Sequence, residues 1–166
     1  DRINLSGGWG AGRVIGQLSL TFNNFSSKNI FNLSKWAPLP SGDGQRLTLS
    51  ASSNGVYYQN YNMQFIEPWL GGKKPTSLTV SLYRNIFSNG LEGDERESTQ
   101  ITGVALGLGK RLKVPDDYFI YRNSLNFQQY KLTNSQSFFS FTDGVSNNIN
   151  FNATLSRDAI DQPIFP

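Results

Sequence analysis

Apolar and small polar residues alternate along most of this chain. The cleanest runs are Val14-Ile15-Gly16-Gln17-Leu18-Ser19-Leu20-Thr21-Phe22, Leu47-Thr48-Leu49-Ser50-Ala51, Leu78-Thr79-Val80-Ser81-Leu82 and Ile149-Asn150-Phe151-Asn152-Ala153-Thr154-Leu155. Successive side chains of a strand point to opposite faces, so a period of two gives one dry face and one wet face. Strands are predicted over Arg2–Trp9, Arg13–Phe25, Gln45–Ser53, Tyr57–Glu67, Thr76–Phe87, Thr99–Lys110, Tyr118–Tyr130 and Gly144–Arg157. The fold class is all-β and antiparallel. Ala11-Gly12 and Asn54-Gly55 read as hairpin turns, the second as a type I′ signal. Ser26 to Asp43 is a long connection. Pro68 to Pro75, the acidic stretch Glu92 to Glu97 and Val114-Pro115-Asp116-Asp117 are turns.

The dry face collects Val14, Leu18, Leu20, Phe22, Leu47, Leu49, Met63, Phe65, Leu78, Val80, Leu82, Val104, Leu106, Leu108, Ile149, Phe151 and Leu155. The wet face collects Gln17, Ser19, Thr21, Thr48, Ser50, Asn60, Asn62, Gln64, Thr79, Ser81, Asn148, Asn150, Asn152 and Thr154. The dry face is nearly free of charge, and the strands are about ten residues long, as in a transmembrane β-barrel. Leu18, Leu20, Val80, Leu82 and Phe151 are then lipid-facing. Arg122 shares a face with Ser124 and Asn126 and points to the lumen, as do Asn148 and Asn150. Trp9, Phe25, Tyr57, Phe65, Trp69, Phe87, Tyr118, Phe119 and Tyr130 gather near strand ends, like interfacial aromatic girdles.

Composition narrows the chemistry. Charged residues make up 16% of the chain, below the roughly 25% of soluble domains. A net charge of +3 without a Lys/Arg stripe implies no nucleic-acid partner. The chain lacks Cys and His, which argues against zinc, haem, thiol and His-triad chemistry, so no cofactor and no metal are expected. No run of 18 apolar residues suggests a membrane helix.

The remaining motifs have plain readings. Gly103-Val104-Ala105-Leu106-Gly107-Leu108-Gly109-Lys110-Arg111 lacks the spacing and the Ser/Thr of a phosphate loop. Its small residues alternate on one strand face and allow close approach or a bend. Glu92, Asp94, Glu95 and Glu97 lack calcium-loop spacing and read as a solvated loop. No carboxylate pair is set for acid–base work. Gly7-Gly8-Trp9-Gly10-Ala11-Gly12 weakens the first strand, because glycine adds ordering entropy and no packing.

Several segments, in order, resemble the BamA family of outer-membrane protein assembly factors. They are Leu5-Ser6-Gly7-Gly8-Trp9-Gly10, Leu18-Ser19-Leu20-Thr21-Phe22-Asn23-Asn24-Phe25, Gly42-Asp43-Gly44, Phe65-Ile66-Glu67-Pro68-Trp69-Leu70 and the closing Asp161…Phe165-Pro166. The connection Ser26–Asp43 looks longer than in the commoner members. The resemblance implies residues 1–166 as strands one to eight of a sixteen-stranded barrel in the outer membrane of a Gram-negative cell. POTRA domains and the second barrel half would lie outside this chain, which would be a fragment or one piece of a nicked barrel. The implied activity is membrane biogenesis: inserting outer-membrane proteins at a lateral gate. Ile3, Asn4, Leu5, Ser6, Gly7, Gly8 and Trp9 would be the gate strand, pairing by backbone with a client strand. The implied partners are the remaining half of the barrel, POTRA domains, accessory periplasmic or surface lipoproteins, unfolded outer-membrane protein clients and outer-membrane lipid. The hairpins at 11–12 and 54–55 and the loops 88–98 and 131–143 would face outward. The connections 26–43, 67–75 and 112–117 would face the periplasm.

Two other architectures fit the alternation. One is a complete eight-stranded barrel of the OmpA type, which needs its last strand to pair with its first. The other is a soluble carbohydrate-binding β-sandwich, which needs a second sheet over the apolar face.

Overall fold

A computed structural model describes residues 1–10, 13–36, 39–72, 76–114, 116–135 and 142–157, without the side chains of residues 10 and 13. The hairpin at Ala11-Gly12, Pro38, the segment Lys73-Lys74-Pro75, Pro115, residues 136–141 of the 131–143 loop, Asp158 and the closing Asp161…Phe165-Pro166 lie outside the described residues.

Eight antiparallel strands form one sheet in chain order. They are β1 (Arg2–Gly10), β2 (Arg13–Phe25), β3 (Gln45–Asn54), β4 (Tyr58–Glu67), β5 (Thr76–Ser88), β6 (Ser98–Arg111), β7 (Phe119–Thr133) and β8 (Gly144–Arg157). The expected strands are all present, with ends displaced by at most three residues. No helix is long and apolar enough to cross a membrane, which says nothing of strands. The 13 residues of β5 reach about 43 Å, or about 30 Å along the normal at a 45° tilt. That is enough to cross a hydrocarbon core.

Register carries the alternation across the sheet, because directly opposed residues share a face. One row joins Ile3, Leu20, Leu49, Met63, Leu82, Val104, Phe127 and Ile149. The next joins Phe22, Leu47, Phe65, Val80, Leu106, Leu125 and Phe151. On the opposite face Asn4, Ser19, Ser50, Asn62, Tyr83, Gly103, Gln128 and Asn148 form a row. A one-residue slip in any strand would put its polar residues into the apolar rows, so the pattern pins the register.

The apolar face has no second layer among the described residues. Among the described residues the buried apolar side chains are Phe25 and Leu47, with Leu132 on the polar face opposite Thr99, whereas Leu18, Leu82, Val104, Leu106, Phe127 and Phe151 on the apolar face are exposed. A soluble sandwich would cover these rows with a second sheet. An uncovered apolar face of this extent fits a lipid environment. No ladder among the described residues joins β8 to β1, so the sheet is open where a complete eight-stranded barrel would close.

Three local readings change. The Asn54-Gly55 hairpin forms, but it is not a two-residue type I′ turn. Asn54 stays in the ladder opposite Tyr58, and the left-handed backbone falls on Gly55 alone, at φ 59°. Phe87 and Tyr130 end strands as expected, yet they point to the polar face, opposite Thr99 and Ser146. Register parity decides this, not nearness to a strand end. The 26–43 connection carries 3-10 turns at Ser27–Asn29 and Leu33–Lys35.

Candidate functional site: the free edge and the polar face

Ile3, Asn4, Leu5, Ser6, Gly7, Gly8 and Trp9 all lie on β1, and among the described residues β1 is an edge strand paired with β2 alone. Ile3, Leu5 and Trp9 share the apolar face and are 71%, 80% and 75% exposed. Asn4, Ser6 and Gly8 alternate with them on the polar face. The glycines here answer no crowding. A Cβ on Gly8, or on Gly16 opposite Gly7, would meet nothing within 4 Å. They lower the pairing strength of the edge without being required by packing. The unpaired N–H and C=O groups along the outer side of β1 are a template for another strand.

The residues expected to face lipid lie on one face of the sheet. Leu18, Leu20, Val80, Leu82 and Phe151 share the apolar face on β2, β5 and β8. Arg122, Asn148 and Asn150 share the polar face on β7 and β8, opposite Thr154, Gln128 and Asn126. Arg122 lines a cleft of about 370 Å³ with Ser77, Thr79, Ser124, Asn152 and Thr154.

The best-defined network on the polar face centres on Tyr83, which the alternation alone does not single out. Gln128 Nε2 donates to the Tyr83 hydroxyl at 2.6 Å, and that hydroxyl donates to Asn126 Oδ1 at 3.1 Å. Tyr130 donates to Gln128 Oε1 at 2.9 Å. Tyr83 on β5 thus reaches across β6 to β7. It can do so because its register partner is Gly103, where a Cβ would overlap the ring. Gly107 and Gly109 likewise sit against Thr79 and Ser77, at 3.6 Å and 2.8 Å from an added Cβ. The small residues of β6 therefore receive side chains of β5. The sequence shows the alternating small residues of β6, but which side chains they receive is set by register.

Asn60 and Asn85 pair on the same face through Asn60 Nδ2 and Asn85 Oδ1. In the acidic loop, Asn89 accepts from the backbone of Leu91 and Glu97 and donates to the Glu95 carbonyl. Among the described residues no group of three or more acidic residues is placed to hold a metal.

An open sheet that is apolar on one face and polar on the other is the arrangement of an outer-membrane barrel wall. Residues 41–166 match the Omp85 superfamily domain. The chain belongs to the Omp85 superfamily. No curated protein matches it. The Omp85 match begins at Ser41 and takes in β3 to β8, which hold the Tyr83 network and most of the apolar rows. Omp85 proteins are β-barrels associated with the outer membrane, which agrees with the two-faced sheet. Omp85 membership fits insertion or transport of proteins at that membrane in general.

Proposed function

We propose that this Omp85 chain is part of a protein-inserting barrel of the BamA kind, and that β1 is one side of its lateral gate. The observation carrying this reading is the edge of β1, free among the described residues and weakened by Gly7 and Gly8, which packing does not demand. A client strand would add to that edge by main-chain hydrogen bonds, one face toward lipid and the other toward the lumen. No covalent step is involved, so the protein is not an enzyme in this reading.

Among the described residues β1 and β8 each pair on one side only, which fits a larger barrel whose further strands pair with both. An unpaired edge in hydrocarbon costs several kcal/mol for each bare backbone group. A sixteen-stranded barrel supplies β8 with a ninth strand and leaves the β1 seam as the weak closure. POTRA domains and accessory lipoproteins would stand at the periplasmic strand ends, beside the 26–43 connection. The location is the cell outer membrane.

The test is Ser6→Pro in the full-length protein, reconstituted in proteoliposomes with an unfolded outer-membrane client. Proline removes a backbone donor and distorts the edge. The expected result is loss of client insertion, with the barrel still folded by its heat-sensitive gel mobility. Normal insertion by this variant would overturn the gate.

A further inference from the structure

The β2–β3 connection has a hydrogen-bonded base and exposed apolar side chains beyond it. Its base is tied on several sides. Ser26 is fully buried, donates from Oγ to Asp43 Oδ2 at 2.6 Å and accepts from the Asn29 backbone at 3.2 Å. Gln45 Oε1 accepts from the Ser27 backbone at 2.7 Å, and Asn29 Nδ2 donates to the Ser41 carbonyl at 2.9 Å. The two limbs meet where the Ser26 backbone donates to the Pro40 carbonyl at 2.9 Å. Above this base the 3-10 turns hold Phe31 at 96% exposure and Leu33 at 78%, with Trp36 also exposed. A loop this well bonded has no need to leave a phenylalanine wholly bare in water.

Two further observations say what covers the tip. First, the connection rises from the lipid side of the sheet. Phe25 packs edge-on against Phe65 of the apolar face at 6.1 Å, and Leu39 and Pro40 line a recess with Phe22, Phe25 and the polar Asp1, Asn24 and Ser41. The base of the connection is therefore continuous with the apolar rows, at the end of the strands. Second, residues 24–42 contain Lys28 and Lys35 and no acidic residue. Both lysines are exposed. At the base, the Asp43 carboxylate is taken by Ser26, and that of Glu67 by Gln45 and the Trp69 backbone. Aromatic and apolar side chains with flanking lysines are the composition of a segment that lies in a phospholipid interface.

We infer that the 26–43 connection is an interfacial anchor: Phe31, Leu33 and Trp36 enter the headgroup–acyl boundary of the adjacent leaflet, and Lys28 and Lys35 meet lipid phosphates. It tethers the barrel wall to the membrane one strand away from the β1 edge. This rests on the membrane reading of the apolar face.

The experiment places a bimane label at Phe31→Cys, Val80→Cys or Glu95→Cys in a cysteine-free full-length protein. The samples are nanodiscs of phosphatidylethanolamine and phosphatidylglycerol, with and without brominated acyl chains. Brominated lipid should quench the label at 31 and at 80 by about twofold or more, and iodide should reach only the label at 95. Quenching at 80 but not at 31, with iodide reaching 31, would overturn the anchor alone. Protection of 31 from both quenchers would overturn it too, by showing a protein occupant. No lipid quenching at 80 would overturn the membrane reading and the anchor with it. Lys28→Glu with Lys35→Glu should reduce the quenching at 31 in this anionic bilayer, and unchanged quenching would remove the lysines from the anchor.

Discussion

The ring of Tyr83 lies over Gly103, its direct partner on the neighbouring strand, and its hydroxyl bonds Asn126 and Gln128 one strand further on. The glycine supplies the space, and the tyrosine fills it and ties three strands together. Such aromatic covering of a strand glycine restores packing that the glycine gives up.

Gly103→Ala should push the ring off its seat and break both hydrogen bonds. The expected cost is about 1–3 kcal/mol, read from urea unfolding in detergent micelles. Tyr83→Ala should cost a similar amount, and adding Gly103→Ala to it should cost little more. Additive losses in this cycle would show that the two residues are not coupled.

Val80 sits midway in the apolar run Leu78–Val80–Leu82, in a row that is apolar from Phe22 to Phe151. Val80→Arg should destabilise the barrel in lipid by about 2–4 kcal/mol. Ser81→Arg, one residue on and facing the lumen, should cost well under half of that. Equal costs would mean that the faces are not in different solvents.

Space beside Gly8 is open, so a β-branched residue fits there without a clash. Gly8→Val should strengthen the β1–β2 pairing by up to about 1 kcal/mol. If a weak edge serves the gate, client insertion should slow while unfolding becomes harder. Faster or unchanged insertion would count against the use of that weakness.

Ser26 is the buried tie at the base of the 26–43 connection. Ser26→Ala removes one donor and one acceptor, at about 1–2 kcal/mol. Trypsin should then cut faster after Lys28 and Lys35 in detergent, with the β-sheet circular dichroism unchanged. An unaltered cutting rate would mean that other bonds hold the loop.

Much of the architecture was legible in the chain itself. The period of two placed all eight strands and sorted Leu18, Val80 and Phe151 from Asn148 and Asn150, because a strand has no other way to distribute alternating side chains. Turn residues marked the strand ends for the same local reason: glycine and its companions allow backbone that other residues resist. What lies across a strand is not local. That Phe87 and Tyr130 lie on the polar face, that Tyr83 meets Gly103, and that Asn54 remains in the ladder depend on register, which the whole sheet sets at once. The free edge of β1 and the bare tip of the 26–43 connection are likewise tertiary facts. Leu5 and Phe31 look like any apolar residues in sequence. Only the arrangement of neighbours decides that nothing in the described protein covers them.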